Sequence, residues 1–265
     1  MAAELYNIDD LTPKQVASIC DHTFLMDDTA YHEQAKVFRI SAAALREKEF
    51  YKFLELVVNT DLTPHAVCVL PRDVRHAREY LMAHGKKEIK IASVIGYPNG
   101  NWDSTNYKLA CIKQVSLDGA VEIDPVIRYN ALKGGDIALV IKEMLQVVDM
   151  AHNLNMISKY ILENSELTPK LIKEACQMAN SCHSDFIKTN TGMGYSVARE
   201  EDLLIMKENF PRGIKISGGV VEDNYKGLLR AASGRDDGRI ELNPRKIRIG
   251  ESKLLLQLMN QGINF

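Results

Sequence analysis

At 265 residues the chain suits one large α/β domain. Apolar residues make up 46% and charged residues 26%, the balance of a water-exposed globular protein. A net charge of −2 gives no broad basis for nucleic-acid binding, and no apolar run approaches the length of a bilayer span.

Residues 1–15 form a polar, acidic lead-in unlike a secretory signal. Leu11-Thr12-Pro13 predicts a helix start, with Thr12 as cap and Pro13 in the first turn. Val16–Cys20, ending in Asp21-His22-Thr23, is taken as the first strand. Residues 31–57 place apolar groups at helical spacing: Ala35, Phe38, Ala42 and Leu45, then Phe50, Phe53, Leu54 and Val57. Ala66–Leu70 is strand-like, Val74–His84 helical up to Gly85, and Ile89–Ile95 strand-like up to the turn at Gly96-Tyr97-Pro98-Asn99-Gly100. A helix over 105–117 and a strand over 120–126 follow, then a loop over 127–135. Asp136 is placed to cap a helix over 137–152. The remaining strands are expected at 157–162, 185–189, 213–217 and 247–249. Helices are expected at 169–182, 199–209, 224–232 and 254–261, and a polar loop at 233–246.

Eight strand-like runs alternate with helices, and several runs are apolar throughout, as parallel strands covered on both faces require. This pattern points to a TIM (β/α)8 barrel in a single domain over 1–265, with a doubly wound open sheet as the competing architecture. The five cysteines, Cys20, Cys68, Cys111, Cys176 and Cys182, are odd in number and lack C-x-x-C spacing, so reduced thiols and a cytoplasmic location are expected.

Three side chains interrupt apolar strands. Lys188 lies in Phe186-Ile187-Lys188-Thr189-Asn190-Thr191-Gly192, Lys215 in Ile214-Lys215-Ile216-Ser217-Gly218-Gly219, and Asp124 in Glu122-Ile123-Asp124. In a barrel, strand residues of one parity face the interior, and active sites lie at the C-terminal ends of the strands. A buried lysine beside a second one favours the neutral amine that attacks a carbonyl. The resulting Schiff base is an electron sink, and a carboxylate such as Asp124 is a suitable proton shuttle. Such chemistry needs no metal or cofactor, and the scattered histidines show no ligand spacing. Gly192, Gly218, Gly219 and Gly250, each following a strand, offer backbone N–H groups for a phosphate, with Ser252 beside them.

These segments resemble the deoxyribose-phosphate aldolase family. Phe186–Gly192 is similar to its Schiff-base motif and Lys215–Val220 to its second-lysine motif. Glu122-Ile123-Asp124, Asp21-His22-Thr23, Ala66–Arg72 and Arg248–Ser252 match its other strands from about residue 16 onward. The resemblance implies cleavage of 2-deoxyribose 5-phosphate to acetaldehyde and glyceraldehyde 3-phosphate. Lys188 would form the Schiff base, Lys215 tune it and Asp124 relay the proton, while Asp21 and Thr191 contact sugar hydroxyls. The departures gather at the phosphate. Met193 and Val221 stand where the family often has cations or polar groups, and Glu251 and Lys253 where it has small residues. Residues 31–62 and 233–246 are extensions relative to the family. A homodimer is the default expectation for the assembly. The competing functions are the same chemistry on an unphosphorylated or different aldehyde pair, a barrel that only binds sugar phosphate, and an isomerase with Asp124 as base.

Overall fold

The computed structural model describes residues 4–260. Eight parallel strands close into a barrel: β1 (Cys20–Phe24), β2 (Ala66–Val69), β3 (Lys90–Ile95), β4 (Glu122–Pro125), β5 (Ile157–Ile161), β6 (Phe186–Lys188), β7 (Gly213–Ser217) and β8 (Ile247–Glu251), with β8 returning to β1. The helices around them are α1 (Pro13–Ala17), α2 (His32–Phe38), α3 (Ala42–Asn59), α4 (Val74–Ala83), α5 (Thr105–Asp118), α6 (Tyr129–Lys133), α7 (Ile137–Asn153), α8 (Pro169–Ser181), α9 (Glu200–Asn209), α10 (Tyr225–Ser233) and α11 (Leu254–Asn260). The barrel expectation therefore holds and the open sheet is excluded by the closed strand order.

The helix starts follow local chemistry. Thr12 and Gln15 form a reciprocal capping box, and Asp136 and Thr168 each accept a backbone N–H at the start of their helices. On α8, Ile172, Ala175, Cys176 and Ala179 are fully buried. Their helical spacing turns one stripe inward, and burying Ile172 alone is worth about 2 kcal/mol.

Four expectations need correction. The first strand is Cys20–Phe24, not 16–20, because the capping box carries α1 through Val16 and Ala17. The polar run Asp21-His22-Thr23 belongs to the strand itself, its charges answered inside the barrel. The helical pattern at 31–57 is two helices, broken at Arg39 in the left-handed region (φ 53°) and restarted by the Ser41 cap. The loop at 127–135 contains α6. Within 233–246, Arg239–Ile240 pairs antiparallel with Tyr6–Asn7 of the lead-in, and Ile8 and Leu11 are buried, so the lead-in is anchored to the barrel. Gln261, expected to end the last helix, lies outside the described residues.

Candidate active site

The strand register places Lys188 opposite Lys215, and Lys215 opposite Arg248. With Lys159 on β5, four consecutive strands, β5 to β8, each send one cation into the barrel, and all four are essentially inaccessible to water. Three buried carboxylates flank this arc: Asp21 on β1, and Glu122 and Asp124 on β4. Burying a charge is costly unless it is paired, so this packing can form only as a network.

Asp124 is the hub. Its Oδ2 accepts from Lys188 Nζ at 3.0 Å and from Lys215 Nζ at 2.7 Å. Lys159 Nζ lies 2.7 Å from Oδ1, at an angle that makes this an ionic contact rather than a directed hydrogen bond, and 2.9 Å from Glu122 Oε2. Lys215 also donates to Asp21 Oδ2 at 2.5 Å. Arg248 bridges the other carboxylates, with Nη1 at 2.5 Å from Asp21 Oδ1 and Nη2 at 2.8 Å from Glu122 Oε1. Four cations thus share three carboxylates. Lys188 touches one oxygen, already shared, whereas Lys215 touches two carboxylates.

Burial works to raise the Asp124 carboxyl, but the ammonium groups of Lys159, Lys215 and Lys188 outweigh it and hold the carboxyl well below the ordinary range. Burial also works against the charged form of Lys215. Asp124 and Asp21 prevail and hold that amine above the ordinary lysine value. Cys68 Sγ, 3.8 Å from Asp124 Oδ2, is pushed up to about 11, by burial first and then by Asp124. It is a small neutral wall at neutral pH.

The residues after Lys188 are scaffolding. Thr189 Oγ1 donates to Ser217 O at 2.6 Å and accepts from Ser217 N at 2.8 Å, tying the ends of β6 and β7 together beside the two lysines. Asn190 Oδ1 accepts from Ser165 N and Oγ, both at 3.1 Å, and its Nδ2 donates to Val197 O at 2.9 Å. Gly250 has a packing reason as well: a Cβ there would lie 2.8 Å from Lys215 Cε.

Above the network opens a cavity of about 620 Å³. Thr191, Gly192, Gly218, Gly219, Gly250 and Ser252 all line it, as do Met193 and Val221. Its charged lining residues are Lys52, Lys253, Glu49 and Glu251, a sum of zero, and Lys52 is 2.7 Å from Glu49. Glu251 is turned inward. Its Oε1 is 2.7 Å from His22 Nδ1, and its Oε2 accepts from Leu255 N at 3.2 Å, so its carboxylate already occupies the start of α11.

A family model described as DeoC/LacD family aldolase matches residues 16–238. The chain belongs to this family of aldolases. It is 35% identical over 213 residues to the deoxyribose-phosphate aldolase of Caldicellulosiruptor saccharolyticus, covering 79% of this chain and 87% of that protein. It is 33% identical over 222 residues to the Bacillus cereus protein of the same name, covering 82% and 89%. In fold it is similar to the tetrameric deoxyribose phosphate aldolase of Aeropyrum pernix, with a TM-score of 0.69 at 20% identity over 97% of this chain and 94% of that one.

Within this aldolase, Lys188, Lys215 and Asp124 converge as the strand pattern predicts. Asp21, expected against substrate, is completely buried, with one oxygen held by Lys215 and the other by Arg248. Glu251, expected as a departure at the phosphate end, lines the cavity and holds its carboxylate against His22. Sequence reasoning passed over Lys159, Glu122 and Arg248 as members of the network. Lys159 carried the same signal as Lys188, a lone lysine in the apolar run Ile157–Leu162. Among the described residues no helix is long and apolar enough to cross a membrane.

Proposed function

We propose that this aldolase cleaves 2-deoxyribose 5-phosphate to acetaldehyde and glyceraldehyde 3-phosphate through a Schiff base on Lys188. The observation that carries the reading is the sharing of one Asp124 oxygen by Lys188 and Lys215 in a dry site at the C-terminal end of the barrel. Lys188 makes one ionic contact, against two for Lys215, and only a neutral amine can attack. Lys188 Nζ adds to the sugar's aldehyde carbon, and the resulting hydroxyl takes up a proton and leaves as water, giving an iminium, the proton being returned when the last iminium is hydrolysed. The bond between the second and third carbons then breaks, its electrons passing to the iminium to give an enamine. The third carbon's hydroxyl loses its proton and becomes the new aldehyde. The enamine carbon takes up one proton, and water releases acetaldehyde. One proton leaves and one returns, so a single shuttle suffices. The Asp124–Lys215 pair is the group in reach, with Asp124 a momentary relay because its resting form is firmly ionised. The names of the bacterial relatives support the substrate. The test is borohydride reduction in the presence of substrate: a covalent adduct is expected on Lys188, and an unmodified Lys188 under turnover refutes the mechanism.

A second reading keeps the chemistry and changes the substrate's tail. The zero charge sum of the cavity lining and the occupied start of α11 favour it, because a phosphate dianion would meet no net countercharge. Comparing 2-deoxyribose with its 5-phosphate decides between the two.

A further inference from the structure

Beyond the end of β3 a polar side chain lines the cavity. Tyr97 follows β3 directly and lines the cavity with Thr191, Gly192 and Ser217. Its ring packs on the small cluster of Leu25, Cys68, Ala92 and Val94. Cys68 in turn lies 3.8 Å from the Asp124 oxygen that both catalytic lysines share. The Tyr97 ring thus shares a neighbouring cluster with the thiol that touches the lysines' carboxylate. Among the described residues no protein group hydrogen-bonds its hydroxyl, although a half-buried tyrosine ordinarily finds a partner. Tyr129 nearby shows the usual arrangement, its hydroxyl accepting from Asn99 Nδ2 at 3.0 Å.

The loop that carries Tyr97 is held far more firmly than a surface turn requires. Lys108, fully buried, donates to Gly100 O at 2.8 Å, Val126 O at 3.2 Å and Glu143 Oε1 at 2.6 Å. Glu143 Oε2 accepts from Arg128 Nε at 2.7 Å and Thr105 Oγ1 at 2.8 Å, and Arg128 Nη1 donates to Asn101 O at 3.1 Å. The stem of Lys108 fills the space beside Gly96 so closely that a Cβ there would sit 2.7 Å from Cε. A buried ion cluster thus fixes the residues on either side of a tyrosine whose own hydroxyl is unspent.

We propose that Tyr97 donates its hydroxyl hydrogen bond to the oxygen on the substrate carbon that becomes the new aldehyde, with Lys108 and Glu143 as positioning residues for it. The proposal rests on the Schiff-base reading above, which puts that oxygen two carbons from the Lys188 nitrogen-bearing carbon and so on the side of the cavity away from the amine. Burial, with the Cys68 thiol, Glu163 and Asp27 nearby, holds the phenol above its ordinary value, so it is a donor at neutral pH and not a base. In cleavage it orients the hydroxyl. In the reverse direction it polarises the acceptor carbonyl as charge develops on the oxygen.

The test uses the full chain with Tyr97→Phe, which removes only an unpartnered hydroxyl and leaves the melting temperature unchanged. Two readouts are compared: borohydride trapping of acetaldehyde on Lys188, which involves the donor half alone, and kcat for cleavage and for addition to an acceptor aldehyde. Trapping is expected at the wild-type rate, with kcat down at least about tenfold in both directions. Unchanged kcat overturns the proposal. So does trapping that falls as far as kcat, because the phenol would then serve the lysine and not the acceptor. Failure of the wild-type protein to trap acetaldehyde refutes the Schiff-base reading instead, and is seen before the variant is made.

Discussion

Replacing Asp124 with asparagine keeps the shape of the hub and removes its charge. Three ammonium groups lie within 3.0 Å of that carboxylate, so four buried cations are left facing two carboxylates. Removing one partner of a buried ion pair costs about 3–5 kcal/mol. The cluster has an escape, since one lysine can shed its proton. From an ordinary lysine value near 10.4, doing so at pH 7 costs about 4.6 kcal/mol, so the loss is capped near the same figure. At roughly 2–4 °C per kcal/mol for a chain of this size, the melting midpoint should fall by about 6–20 °C. The pH dependence separates this account from simple loss of packing. In the variant a lysine is held below its unfolded value, so the unfolded state binds more protons and stability rises with pH, by about 1.4 kcal/mol per unit above neutrality. In the wild type Lys215 is held above its unfolded value. Its contribution is full at neutral pH and is lost only as pH rises past the ordinary lysine range. Urea melts of both proteins at pH 7, 8 and 9 should therefore converge as pH rises. A constant offset, or a variant within 1 kcal/mol of wild type at pH 7, would refute the electrostatic reasoning, the threshold being about the size of one ordinary hydrogen bond.

Gly218 sits at φ 103°, and a Cβ there would lie 2.5 Å from Ser196 O. Gly218→Ala should cost about 1–2 kcal/mol from the backbone alone and shift the cavity-lining turn, raising KM more than it lowers kcat. A drop confined to kcat would show that the turn does not touch substrate. For the substrate's tail, the balanced lining charges predict that 2-deoxyribose 5-phosphate is preferred over 2-deoxyribose by no more than about tenfold in kcat/KM, since one ordinary charge-assisted contact is worth about that much. A preference above about a thousandfold would mean that the glycine turns and Lys253 bind the dianion without further cations.

How far the site could be read in advance follows from what strand parity can and cannot say. A lone lysine in an apolar strand signals an inward cation, and Lys188 and Lys215 were legible for that reason. Lys159 had the same signature but no glycine turn after it to draw notice. Arg248 was legible only as the start of a family-like strand, and nothing in the segment shows that its guanidinium is spent on Asp21 and Glu122. The inward position of Asp21 was hidden by the first strand's bounds: once Val16 and Ala17 belong to α1, Asp21 falls inside the strand and among the cations Lys215 and Arg248. Which cation meets which carboxylate depends on the stagger between strands, a property of the closed barrel that no segment of sequence holds. The same holds for Tyr97, which reads as an ordinary turn residue until the Lys108–Glu143 pair beneath its loop is seen.

The arrangement of signs around the barrel also limits how the site can work. The cations occupy β5 to β8 in sequence, and the three carboxylates that pair with them sit on the strands at either edge of that arc, β4 and β1. Neighbouring cations such as Lys188 and Lys215, paired in register, would repel one another strongly in so dry a space without them. Asp124 thus lowers the cost of closing the barrel around the charged lysines. A residue already committed to three ammonium groups cannot hold a proton for long, which is why the acceptor's oxygen needs a donor from elsewhere in the cavity lining. Tyr97 is a cavity-lining polar group whose hydroxyl no protein atom among the described residues has claimed.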